Sequence, residues 1–111
     1  MISKSLLENT SLGIYCPKAD VYIDPWLPVP KAIITHAHSD HARSGHQFYK
    51  ATHYSREILK LRLGAEIKLE TADYNEPWVI NGVKFSFHPA GHIVGSAQVR
   101  VEYKGEVWAV S

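Results

Sequence analysis

The chain has 111 residues, 45% of them apolar and 21% charged, with a net charge of +1, a balance that suits one domain with a modest core. It excludes a disordered, collagen-like or low-complexity chain and offers no bulk positive charge for nucleic acid or an anionic membrane. Cys16 is the single cysteine, which excludes an internal disulfide, and no apolar run nears the ~18–20 residues of a membrane span, so a cytoplasmic protein is expected.

In chain order the pattern predicts short strands with tight punctuation. Leu6-Leu7, Gly13 to Cys16 and Asp20 to Asp24 are expected to be successive strands, separated by Asn, Ser, Gly and Pro. The segment from Trp26 to Pro30 holds two prolines, which remove donors and bias their predecessors to extended forms, so it is irregular. Lys31 to Thr35 is apolar and β-branched, a buried strand that ends at His36. Ser39 can cap a short turn, and Gln47 to Ala51 reads as a weak strand. Ser55 to Leu63 is the best helix, with Ile58, Leu59, Leu61 and Leu63 apolar and Gly64 just past its end. From Ile67 onward the pattern is β. Asn81-Gly82 between Trp78–Ile80 and Val83–His88 is a strong hairpin signal. Ala97 to Tyr103 alternates, and Lys104-Gly105 turns the chain into a last strand, Glu106 to Val110. The fold class expected is α/β of the α+β kind, rich in β. Ser111 follows that strand directly, so the chain reads as the N-terminal part of one interrupted domain.

Histidine is the compositional excess, with seven copies. His36, His38 and His41 stand with Asp40 inside six residues. In an extended backbone His36 and His38 project to one side, and a turn at Ser39 brings Asp40 and His41 back from another direction. Imidazole with carboxylate suits zinc, manganese or iron, and the lack of thiolate argues against a structural zinc finger. One ion would need about four ligands with an open position; two would lie ~3.5–4 Å apart and share a water. A solvated turn and a structural metal are the competing readings; a catalytic metal site is favoured over both. In the second cluster, Pro89 and Gly91 argue against a helix that would pair His88 with His92. His92, in a glycine-flanked turn, is the expected ligand; His88 supports it or lies on the surface. Ser96 caps a turn or hydrogen-bonds a ligand histidine, and Asp24 at a strand end can orient a ligand imidazole. His46 and His53 are expected on the surface, and Cys16 as a small buried hydrophobe.

His36-Ala37-His38-Ser39-Asp40-His41 resembles the HxHxDH motif of the metallo-β-lactamase superfamily. The later His92 in Ala90-Gly91-His92-Ile93-Val94-Gly95-Ser96 resembles its nuclease branch. Tyr22-Ile23-Asp24-Pro25-Trp26, Arg62-Leu63-Gly64 and His88-Pro89-Ala90-Gly91-His92 look together like the bacterial ligase-associated DNA exonucleases, some labelled mRNA 3′-end processing factors. The resemblance runs from about Leu6 to Ser111. It implies an αββα sandwich with His36, His38 and His92 on a first metal, Asp40 and His41 on a second, and Asp24 supporting the site. It implies two zinc ions, with manganese an alternative, and a nucleic acid substrate, DNA ahead of RNA, with a DNA ligase as a functional associate. Asp40 would also orient the attacking hydroxide. The family pattern continues with a bridging aspartate and further histidines that do not occur here, so self-association through an uncovered sheet is an expectation. Arg43, Lys50, Arg56, Lys60 and Arg62 are candidate substrate contacts, although a solvated helix face explains the last three equally well. Two other functions stay open: hydrolysis of a thioester, lactone or lactam, and a metal-binding role without catalysis.

Overall fold

A computed structural model describes residues 5–37, 42–91 and 96–110. In chain order the elements are β1 (Glu8–Thr10), β2 (Gly13–Cys16), β3 (Val21–Ile23), β4 (Lys31–Ile33), β5 (Phe48–Thr52), a 3-10 turn (His53–Ser55) and α1 (Arg56–Leu63). They continue with β6 (Leu69–Ala72), β7 (Trp78–Ile80), β8 (Val83–Pro89), β9 (Ala97–Tyr103) and β10 (Glu106–Val110). The fold is α+β and mostly β, as the pattern predicts, with α1 the one α-helix among the described residues.

Two sheets form. One has six strands in the order β1-β2-β3-β4-β5-β6, antiparallel up to β3 and parallel from β3 to β6. The other has four antiparallel strands, β10-β9-β8-β7. Period-two alternation assigns the faces. Val21, Ile23 and Ile33 meet Phe85, Phe87, Val99 and Val101 between the sheets. Tyr49, Ala32, Ile34 and Ala51 face the other way, onto Leu59 of α1. The three parallel pairings put the C-terminal ends of β3, β4, β5 and β6 at one end of the molecule, the end at which Asp24 and His36 follow their strands.

Local chemistry explains the boundaries. Asn81 and Gly82 have φ of 50° and 82°, and Lys104 and Gly105 have 47° and 83°, the paired positive angles of tight hairpin turns that match strand twist. Gly64 ends α1 at φ 112°. Two details differ from expectation. Leu6 and Leu7 are not a strand: pairing begins at Glu8, and both leucines are buried in the inter-sheet core instead. Leu61 is exposed, because the helix presents only a narrow stripe, centred on Leu59, to the sheet.

Gly13 marks a close crossing. At φ +139° an added Cβ would lie 2.8 Å from the Cα of Pro25. Gly13→Ala is therefore expected to destabilise the chain by about 1–3 kcal/mol, read as a lower urea midpoint, by pushing the Asp24-Pro25 turn off β2.

Candidate metal centre

The described part of the site is built at the C-terminal ends of β3 and β4. Asp24 follows β3 at φ 48°, a conformation that aspartate tolerates better than most residues, and its N–H donates to the Ile33 carbonyl at 2.9 Å. The turn aims its carboxylate along the neighbouring strand end. Oδ1 accepts from the Thr35 N–H at 2.8 Å and Oδ2 from the Thr35 hydroxyl at 2.5 Å. The same hydroxyl oxygen lies 2.7 Å from Nδ1 of His36. Thr35 is fully buried, so this contact is shielded from water. A hydroxyl has one proton, and the carboxylate takes it. Thr35 Oγ1 can then only accept from Nδ1–H, which places the imidazole lone pair on Nε2. An Arg62 guanidinium N–H donates to the Ala37 carbonyl just beyond, tying α1 to the same strand end.

A second stretch docks here. The Ala97 N–H donates to the Thr35 carbonyl at 2.9 Å, so the start of β9 lies beside the residue before His36. The Ala90 N–H donates to the Ser96 carbonyl at 3.3 Å, and the Tyr74 hydroxyl donates to that oxygen at 2.9 Å. Ala90 and Ser96, which bracket His92 in the sequence, are thus joined to each other next to the His36 strand end. His38, Asp40, His41 and His92, and the turn expected at Ser39, lie outside the described residues. Among the described residues no group of three or more His, Cys, Asp or Glu side chains is arranged to hold a metal. The described donor set fits a divalent cation: a ring held by its Nδ1–H, with a carboxylate behind it, is the usual support for a metal-bound histidine.

The other candidates divide. Ser96 is buried, and its carbonyl accepts from both Tyr74 and Ala90. His88 sits on the outer face of the four-stranded sheet with Nε2 2.9 Å from Ser86 Oγ, and no described contact joins it to Asp24, Thr35 or His36. Cys16 is buried, and burial pushes its thiol pKa up, which makes it an unreactive core residue. His53 is exposed, as expected. Among the basic candidates, Lys50 lies with Nζ 4.7 Å above the Trp78 ring and Arg62 is taken by Ala37. A cavity of about 710 Å³ opens between β4–β6 and β7, lined by Lys31, Phe48, Lys50 and Trp78. Its walls include the N-terminal starts of β4 and β5, away from Asp24 and His36.

His46 corrects the surface assignment. It is 7% exposed; Nδ1 accepts from the Val29 N–H at 3.2 Å, and Nε2 is buried without a hydrogen-bond partner among the described residues. Burial holds its pKa below the ordinary value. On acidification the unfolded chain therefore takes up this proton first, and stability is lost as pH falls below about 6.5. His46→Gln is expected to flatten the fall of the urea midpoint between about pH 7 and about pH 5.

Sequence reasoning missed Thr35 and Tyr74. A threonine directly before the first motif histidine is a signal for the first; the second carries none, because its partner is 22 residues away.

No family model matches the chain. It is similar to a probable DNA ligase from Opitutus terrae, with 29% identity over 94 residues that cover 84% of this chain and 9% of that protein. It is similar to endoribonuclease YSH1 of Yarrowia lipolytica, with 45% identity over 38 residues, 34% of this chain and 5% of that protein. Cleavage and polyadenylation specificity factor subunit 3-I of Arabidopsis thaliana shares 28% identity over 114 aligned positions, 75% of this chain and 16% of that protein. The chain spans well under a fifth of the length of these relatives. The kinship read from the histidine motif holds: the chain is a relative of the metallo-β-lactamase-superfamily nucleases and processing factors.

Proposed function

We propose that the chain contributes the metal-binding end of a hydrolase that cleaves phosphodiester bonds of nucleic acid, an exonuclease acting on DNA. The observation that supports this is the buried chain Asp24–Thr35–His36, with the start of β9 docked on Thr35. In this reading His36, His38 and His92 hold one cation, and Asp40 and His41 a second, within an αββα sandwich of which these residues form the N-terminal part. Zinc is the expected metal and manganese the alternative; when bound, such ions supply Lewis-acid stabilisation of phosphoryl charge and acidify a water toward neutral pKa.

This chain's own residues then have defined tasks. Asp24 and Thr35 fix the tautomer and direction of the His36 ring. Ser96 and Tyr74 brace the loop that presents His92. Asp40 orients the attacking water besides serving as a ligand. The printed names of the relatives divide between a DNA ligase and an endoribonuclease, so both polymers belong in the test.

The full chain, loaded with zinc or with manganese, is to be assayed on single-stranded DNA, single-stranded RNA and a thioester. Phosphodiester cleavage that disappears in His36→Ala is the expected result. Inertness toward both polymers under both metals, or turnover of the thioester alone, ends this reading.

A further inference from the structure

Two exposed aromatic residues, Trp26 and Tyr54, follow the strands on either side of β4, the strand that leads to His36. β4 lies between β3 and β5 and is parallel to both, so the segments that leave β3 and β5 emerge at the same end as His36. Trp26 leaves on the β3 side and Tyr54 on the β5 side, their strands two spacings, or roughly 10 Å, apart. Both are 51% exposed, unusual for rings this large.

Neither ring hangs loose. Trp26 donates its indole N–H to the Ser11 carbonyl at 2.7 Å, and its backbone N–H to Leu12 at 3.0 Å. Its polar edge is satisfied within the protein, and what it offers to solvent is ring surface. Tyr54 stacks on Tyr74, with centroids 5.4 Å apart and planes 23° apart. Tyr74 is the residue whose hydroxyl holds the Ser96 carbonyl, so this stack is tied to the start of β9 beside Thr35.

From this placement we propose that Trp26 and Tyr54 form a two-sided clamp for unpaired nucleobases, one on each side of the scissile phosphate. The clamp rests on the nuclease reading above and deepens it by naming single strands as the substrate form. Base–aromatic stacking is indifferent to sequence because every base has a π face, and paired bases in a duplex are already stacked. The charge balance supports the same conclusion. A chain with a net charge of +1 exerts little long-range pull on a strand, so stacking would add grip that bulk charge does not supply.

Binding of fluorescein-labelled oligothymidylate and oligouridylate to the full chain in chelator tests it, since no cleavage then intervenes. Trp26→Ala and Tyr54→Ala are each expected to weaken binding about five-fold or more, with only a shallow dependence on salt. Trp26→Phe loses the indole hydrogen bond but keeps a ring, and Tyr54→Phe keeps its ring; both are expected to retain most of the affinity. If the phenylalanine variants bind as weakly as the alanine variants, the aromatics are structural staples and the clamp is wrong. Alanine variants that bind like the parent also overturn it. If cleavage occurs and needs His36 while those variants bind normally, the clamp alone falls. If the parent neither binds nor cleaves either oligonucleotide, the nuclease reading falls and takes the clamp with it.

Discussion

Asp24→Asn is expected to lower zinc affinity and phosphodiester cleavage by about 10–100-fold with little change in thermal midpoint. Asparagine tolerates the backbone angle of 48° at this position and preserves the side-chain shape. Its amide oxygen can still accept from the Thr35 N–H. The amide nitrogen that replaces Oδ2 cannot accept the Thr35 hydroxyl proton. That hydroxyl then needs another acceptor and turns toward Nδ1 of His36, now 2.7 Å away, as a donor. The imidazole is driven to the tautomer whose lone pair faces Thr35, and the ring is lost to a cation on its other side. Thr35→Val removes the relay at constant shape and is expected to cost a similar factor. The two substitutions act on one chain of hydrogen bonds, so the double variant is expected to be little worse than either single one. Zinc titration of the four proteins measures this. Additive losses would mean that Asp24 and Thr35 act separately.

Phe87→Ala carries the largest expected stability loss, about 3–5 kcal/mol. Phe87 is fully buried, lies opposite Val99 in the β8–β9 pairing, and packs against the Trp78 ring with centroids 5.0 Å apart. Its carbonyl also accepts the Asn75 N–H at 2.8 Å, so the side chain anchors a strand that organises its neighbours. The cavity would open between the two sheets among core side chains such as Ile23, Ile33 and Val99, whose hydrogen-bonded strands cannot close in cheaply. Domains are stable by only about 5–15 kcal/mol, so the variant is expected to unfold at a much lower urea concentration. Val79→Ala, at an exposed position of β7, is the control and is expected to leave the midpoint unchanged.

Elements with short-range causes were legible before any coordinates. Asn81-Gly82 dictates its hairpin because few residues accept two successive positive φ angles. The stretch from Ser55 to Gly64 contains its own stop, and α1 occupies all but its first and last residues. The motif around His36 suggests a metal site through residue types and spacing, and Asp24 is expected to orient a ligand imidazole from its place at a strand end. Its actual grip is on Thr35, which reaches His36 in turn, a link that depends on β3 and β4 being neighbours. His46 looked like a surface residue because a lone imidazole has no pattern. It is buried because the chain at Val29 and the Tyr49 ring lie against it, and the hydrogen bond that fixes it comes from a residue 17 positions away. Leu6 and Leu7 show the same division, apolar enough to be buried but not obliged to pair. Residue chemistry acts over a few positions along the chain and is readable there. Which distant partner satisfies a buried polar atom, or covers an apolar one, follows from the strand order, and that order emerges only when every such demand is met at once.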